Sequence, residues 1–268
     1  MAVYILINTA FQLIVLIGAV WLVGFIISII NKTFYGMFHS SAVCYATGVI
    51  GTPIHELSHA FFCVLFAHKV LEIKLFQIDP DSGALGYVRH TYNPKNIYAR
   101  IGNFFIGVAP IIGNSLVILL LMWLLLPQTF SEVWANINAF AQSGSEGAAI
   151  IGEGVTMVGS VFVSLFTGIT AGFPWWIFML VAFCLALHMN LSKPDIQNGL
   201  SGCALFAAAI VVINLVLGFL PVYKYFAGFM TTACAYVIVI LLISLIFSLV
   251  TLLIGFLAKT IVSLIRRK

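Results

Sequence analysis

The chain has 268 residues, 62% of them hydrophobic and only 7% charged, with a mean hydropathy of +1.15. No soluble domain of that length needs so much apolar surface, so composition excludes a water-soluble globular protein and predicts an all-α polytopic membrane protein in contact with the lipid bilayer. The formal net charge of +4 lies largely in connecting segments and in the tail Arg266-Arg267-Lys268, which suits an anionic cytoplasmic leaflet and implies no nucleic acid partner.

Apolar runs of bilayer length, about 20 residues, fall near residues 5–30, 43–67, 101–126, 174–190, 200–220 and 229–258, which predicts about six transmembrane helices. The first run lacks a basic leader and is too long for a signal peptide, so it is expected to be a retained span. A further run, Thr156 to Gly172, is rich in small residues and ends in Gly172-Phe173-Pro174, which predicts a re-entrant or surface segment.

Lys69, Lys74, Arg89, Lys95 and Arg100 crowd the connection 68–100, whereas 127–155 carries Glu132, Glu146 and Glu153 and neither Lys nor Arg. Short basic connections stay cytoplasmic. The expected arrangement is therefore a multi-pass protein of the cell membrane with both termini inside, a single integral membrane domain over 1–268 whose core, 43–200, is flanked by spans in 1–42 and 201–268.

In the first connection Leu71, Ile73 and Leu75 alternate with Glu72, Lys74 and Gln77, then Asp79-Pro80-Asp81-Ser82-Gly83 marks a turn and 84–91 can return. This predicts a small cytoplasmic-side β-hairpin, with an irregular polar loop as the alternative. Ser131 is placed to cap a short helix carrying Val133, Trp134, Ile137 and Phe140 on one side, the pattern of an interfacial helix. Cys44, Cys63, Cys184, Cys203 and Cys234 lie in apolar segments without CxxC spacing, and are expected to be small buried hydrophobes rather than disulfides or thiolate ligands.

His55-Glu56-Leu57-Ser58-His59 is an HExxH motif inside a stretch that otherwise reads as a span. On a helix the two histidines fall at i and i+4 on one face, where both imidazoles reach one Zn2+, and Glu56 at the edge of that face is placed as general base toward a water activated by the metal. Ionisable groups at membrane depth are costly and point to function before packing. Thr52-Pro53 just upstream predicts either a helix start that breaks the span or a proline kink.

A catalytic zinc takes three protein ligands and leaves one position open. Asp195, in Asn190-Leu191-Ser192-Lys193-Pro194-Asp195 between two apolar runs, is the expected third ligand. Ser192-x-x-Asp195 equally fits a capping box in which the carboxylate only closes a helix start. His188 and Glu153 are the reserves, while His39, His68 and His90 fall in or near polar connections and are expected to be solvated or interfacial.

The HExxH, the later Asp195 flanked by Asn, Pro and Gly, and Gly107-Val108-Ala109-Pro110-Ile111-Ile112-Gly113-Asn114 in an intervening span together resemble the site-2 protease family of zinc intramembrane metalloproteases, over about residues 45–200. The resemblance implies His55, His59 and Asp195 as zinc ligands, Glu56 as the catalytic base, and a membrane-embedded or membrane-adjacent protein or peptide as substrate. It also suggests Asn114 as a substrate-binding or oxyanion residue, for which helix packing is the alternative. The chain departs from the family in one place: Asp195 lacks the Gly that usually follows it, and Gly199 comes four residues later. Two other classes stay open, an HExxH membrane peptidase that uses Glu153 and a non-enzymatic carrier or assembly factor. The sequence is silent on oligomeric state.

Overall fold

A computed structural model describes residues 1–38, 41–78, 84–142 and 148–266. The expected turn at 79–83, His39 and the end of the basic tail lie outside these residues. Helices α1 (Ala2–Leu13) and α2 (Val20–Phe38) are joined by a π-helical stretch, Ile14–Ala19, into one rod. Helix α3 (Ser41–Leu65) carries the HExxH motif, and β1 (Lys69–Lys74) and β2 (Tyr87–Thr91) form the hairpin. Then follow α4 (Ile97–Leu125), α5 (Pro127–Gln142), α6 (Ala148–Thr167) with a 3-10 turn at Gly168–Ala171, α7 (Phe173–Leu187), α8 (Lys193–Gly218) and α9 (Tyr223–Arg266).

Among the described residues, five stretches are long and apolar enough to cross a membrane: Ala2–Phe38, Ile97–Leu125, Gly152–Ala171, Lys193–Gly218 and Tyr223–Ile265. The chain is thus an all-α polytopic membrane protein with one small antiparallel sheet. The helices expected at 43–67 and 174–190 are present as α3 and α7, but neither has the signature of a simple span. α3 is diluted by Thr47, Thr52, His55, Glu56, Ser58 and His59, and α7 has only 15 residues. The segment expected to be re-entrant or at the surface forms most of α6 and its 3-10 turn, because small residues do not stop a helix; Gly172, at φ 72°, does.

Two local expectations are corrected. Of the two alternatives at Thr52-Pro53, the helix start is the one not met: α3 runs through Pro53, whose missing N–H costs one intrahelical bond, while α4 and α7 pack against it. The hydroxyl of Thr52 turns to the His188 ring, 3.4 Å from Nδ1, instead of capping a new helix. α5 begins at Pro127 rather than behind a Ser131 cap, and its apolar side faces protein: Val133, Ile137 and Phe140 join Ile118 and Met122 of α4, Leu165 of α6 and Phe247 of α9 in the main core. Only Trp134 of that expected interfacial stripe is exposed.

α4 is the central helix and crosses its neighbours at small residues. A Cβ on Gly107 would stand 2.5 Å from the Asp195 carbonyl oxygen and from the backbone of Gly199, so α8 seats its first turn directly on α4. Gly202 meets the backbone of Phe104 and Gly113 meets Ser58 of α3 in the same manner. In the hairpin Glu72 pairs with Arg89 across a bulge at Leu71. The Tyr87 hydroxyl donates to Glu72 at 2.8 Å and Arg89 lies 3.3 Å away, contacts that hold the Glu72 carboxyl below its ordinary range, the Tyr87 bond foremost.

Candidate metal centre

The two motif histidines project from consecutive turns of α3 toward the start of α8. Nδ1 of His55 lies 2.7 Å from the His188 carbonyl oxygen, and Nδ1 of His59 lies 2.8 Å from that of Ile106. A carbonyl only accepts, so both Nδ1 atoms carry a proton and each ring turns its Nε2 toward the site. Those two Nε2 atoms face each other at 3.2 Å. Two imidazole nitrogens at that separation can share a proton or ligate one metal ion.

Asp195 supplies the negative charge. Its Oδ1 is 3.2 Å from Nε2 of His59 and its Oδ2 is 3.8 Å from Nε2 of His55. Tetrahedral zinc with its usual bond lengths sets such donors about 3.3 Å apart, so the chemistry and spacing of this set fit the metal. The same carboxylate also closes a capping box: the Ser192 amide donates to Oδ2 at 2.7 Å and the Asp195 amide donates to the Ser192 hydroxyl at 3.3 Å. The capping and ligand alternatives are therefore compatible, since the cap fixes the side chain that faces the histidines.

The carbonyls that orient the imidazoles are exposed by local chemistry. In α4 the Ile106 carbonyl would normally accept from residue 110, but that residue is proline and has no N–H, so the acceptor is free for His59. The His188 carbonyl lies at the C-terminal end of α7, where helix carbonyls lack intrahelical donors. Asn114, fully buried, donates weakly to that same carbonyl at 3.5 Å. It therefore stands behind the His55 support and is not among the residues lining the cavity.

A cavity of about 700 Å³ opens beside these groups, with Glu56, His55, His59, Asp195, Asn198 and Gly86 in its wall. Glu56 is buried, and a Cβ on Gly86 would come within 2.8 Å of its Cγ, so the chain entering β2 passes immediately over it. Of the reserves, the His188 ring faces α3 hydroxyls, with Nε2 3.1 Å from Thr47 Oγ1, and contributes its carbonyl rather than a ring nitrogen to the site. Gly51 makes room for it: a Cβ there would fall 2.5 Å from His188 Cδ2. Glu153 lines a different cavity, with Asn136, Phe140 and Thr156 between α5 and α6, and is not brought to the histidines.

Of the two states expected of His68 and His90, solvated or interfacial, the solvated one is not met. His68 is only 5% exposed, and Nδ1 of each ring lies 3.0 Å from that of the other at the base of the hairpin. Burial pushes His68 down and takes His90 to about 4, so both are neutral rings at physiological pH. Against known proteins, no family model matches the chain, and neither curated proteins nor solved structures gave a significant match.

Proposed function

We propose that this chain is a zinc-dependent intramembrane metalloprotease of the site-2 protease type, hydrolysing peptide bonds of membrane-embedded or membrane-adjacent substrates. The observation that carries this is the pair of imidazole Nε2 atoms 3.2 Å apart, with the Asp195 carboxylate 3.2 Å from one of them and the buried Glu56 carboxylate in the wall of the same cavity. His55, His59 and Asp195 would hold the ion. Bound there, zinc would supply Lewis acidity, polarising a carbonyl and acidifying water.

Glu56 takes a proton from the attacking water and returns it to the leaving nitrogen, which suits a carboxylate shielded from bulk solvent. His55 and His59 stay fixed in one tautomer by the His188 and Ile106 carbonyls while charge moves past them. A helical substrate hides its carbonyls in intrahelical bonds and must unwind to be attacked. Tyr87, Val88 and His90 line the cavity, so an unwound segment can pair with the open edge of β2. The preferred substrate is a span with helix-breaking residues, and the basic connection 68–100 puts the cut toward the cytoplasmic side of a cell membrane with both termini inside.

The test is cleavage of a single-span reporter carrying Gly and Pro in its span, co-reconstituted with zinc-loaded protein. Glu56→Gln should abolish new termini by mass spectrometry while zinc stays bound, because the amide keeps the shape but cannot take the proton. Undiminished cleavage would remove Glu56 from the chemistry.

A further inference from the structure

Helix α3 ends in a left-handed cap: the His68 amide donates to the Cys63 carbonyl at 2.8 Å, the Ala67 amide donates to Val64 at 3.2 Å, and Ala67 holds φ 58° where glycine is usual. A side chain with a Cβ pays about 1 kcal/mol to sit there. Such caps set two side chains against each other across the turn, commonly an apolar pair. Here they are a thiol, on Cys63, and an imidazole, on His68. The hairpin adds His90, which stands opposite Val70 in the register of β1 and β2.

The tautomer of His68 is set from behind. Its Nε2 lies 2.8 Å from the Ala99 carbonyl and must carry the proton, so Nδ1 presents a lone pair, 3.0 Å from Nδ1 of His90. The Tyr92 ring stacks on His68 with centroids 4.5 Å apart and fixes its plane. The Cys63 sulfur and one ring nitrogen of each histidine all lie within 4.8 Å of one another. A carbonyl-anchored imidazole is how metal-bound histidines are oriented, and it is how His55 and His59 are held.

We propose that Cys63, His68 and His90 form a second metal site, built for a thiolate-preferring transition ion of the zinc class. One sulfur and two imidazoles select such an ion over magnesium or calcium, which take oxygen donors. Cys63 is fully buried, while half-buried His90 also lines the 700 Å³ cavity and gives the ion a way in. On binding, the Cys63 thiol gives up its proton to solvent and its sulfur bonds the metal. The ion ties the end of the motif helix to the hairpin that passes over Glu56. This site stands apart from the proposed protease chemistry and would give Cys63, free and buried as expected of it, a second role.

The test loads the purified, reduced, full-length protein with Co2+ in detergent, because thiolate ligation produces a sulfur-to-cobalt charge-transfer absorption in the near ultraviolet that nitrogen and oxygen donors do not. The expected result is two equivalents of cobalt per chain with that absorption present. Cys63→Ser should lose the absorption and one equivalent, and His90→Ala should do the same in a variant that leaves α3 untouched. Asp195→Asn should lose the other equivalent and keep the absorption, which separates this site from the protease centre. A folded wild-type protein without the absorption, or an absorption that survives Cys63→Ser, would overturn the proposal and leave His68 and His90 as a hydrogen-bonded pair.

Discussion

His59 and Pro110 are linked through a single carbonyl: proline at 110 leaves Ile106 without its intrahelical donor, and His59 Nδ1–H takes up that oxygen at 2.8 Å. Pro110→Ala restores a competing N–H. The variant should keep its helices and lose roughly tenfold in zinc affinity, the lower end of what removing an outer-shell partner costs. Chelator competition measures this, and an unchanged affinity would show that His59 needs no help from the helix break.

Asp195 serves two bonds at once, which lets its roles be separated. Asp195→Asn keeps an oxygen for the Ser192 amide and should leave thermal stability almost unchanged while most zinc is lost. Asp195→Ala should lose the zinc and also about 1 kcal/mol of helix-cap stability. Zinc content read beside the melting temperature distinguishes them, and full zinc in the Asn variant would reduce Asp195 to a cap.

Gly107 sets the distance between α4 and the first turn of α8. Gly107→Ala places a methyl 2.5 Å from the Asp195 carbonyl oxygen and from Gly199, where overpacking costs about 1–3 kcal/mol. The turn must shift, and Asp195 moves with it. Zinc retention should fall sharply, whereas Gly159→Ala, with nothing within 4 Å of the added carbon, should retain it. Equal retention in both would mean that helix seating does not set the ligand position.

The hairpin should loosen in acid. Glu72 has its folded pKa lowered, first by the Tyr87 hydroxyl and also by Arg89, so its contribution is present above the ordinary carboxylate value and is lost as pH falls through the lowered one. Amide exchange in 69–74 and 87–91 should accelerate on acidification, and Glu72→Gln should remove most of that pH dependence. Identical profiles for the two proteins would assign the effect elsewhere.

Much of this was legible before folding. The HExxH spacing, the long apolar runs and the alternation at Leu71, Ile73 and Leu75 are local patterns, and local patterns dominate where one helix face or one hairpin is concerned. Asp195 was findable because a carboxylate between two apolar runs is rare. What escaped depends on partners distant in sequence: the His188 carbonyl under His55, the burial of the α5 stripe under α4 and α9, and the seat of Gly199 on Gly107. Gly199 follows Asp195 by four residues, one helical turn, and so takes up the helix contact one turn below the carboxylate. Pro110 was the missed signal, since any proline inside a helix frees the carbonyl four residues before it. Pro53 left a helix start and a proline inside one helix both open, and packing on both sides of α3 decides for the second.

The most direct check is the zinc-edge absorption spectrum of Cys63→Ser protein, in which only the HExxH centre is left to bind. A shell of two imidazole nitrogens plus oxygen donors, with no sulfur, should appear at one zinc per chain and vanish in the Cys63→Ser, Asp195→Asn double variant. Folded protein that retains no zinc, or a nitrogen and oxygen shell indifferent to Asp195, would contradict a metal centre built on His55, His59 and Asp195.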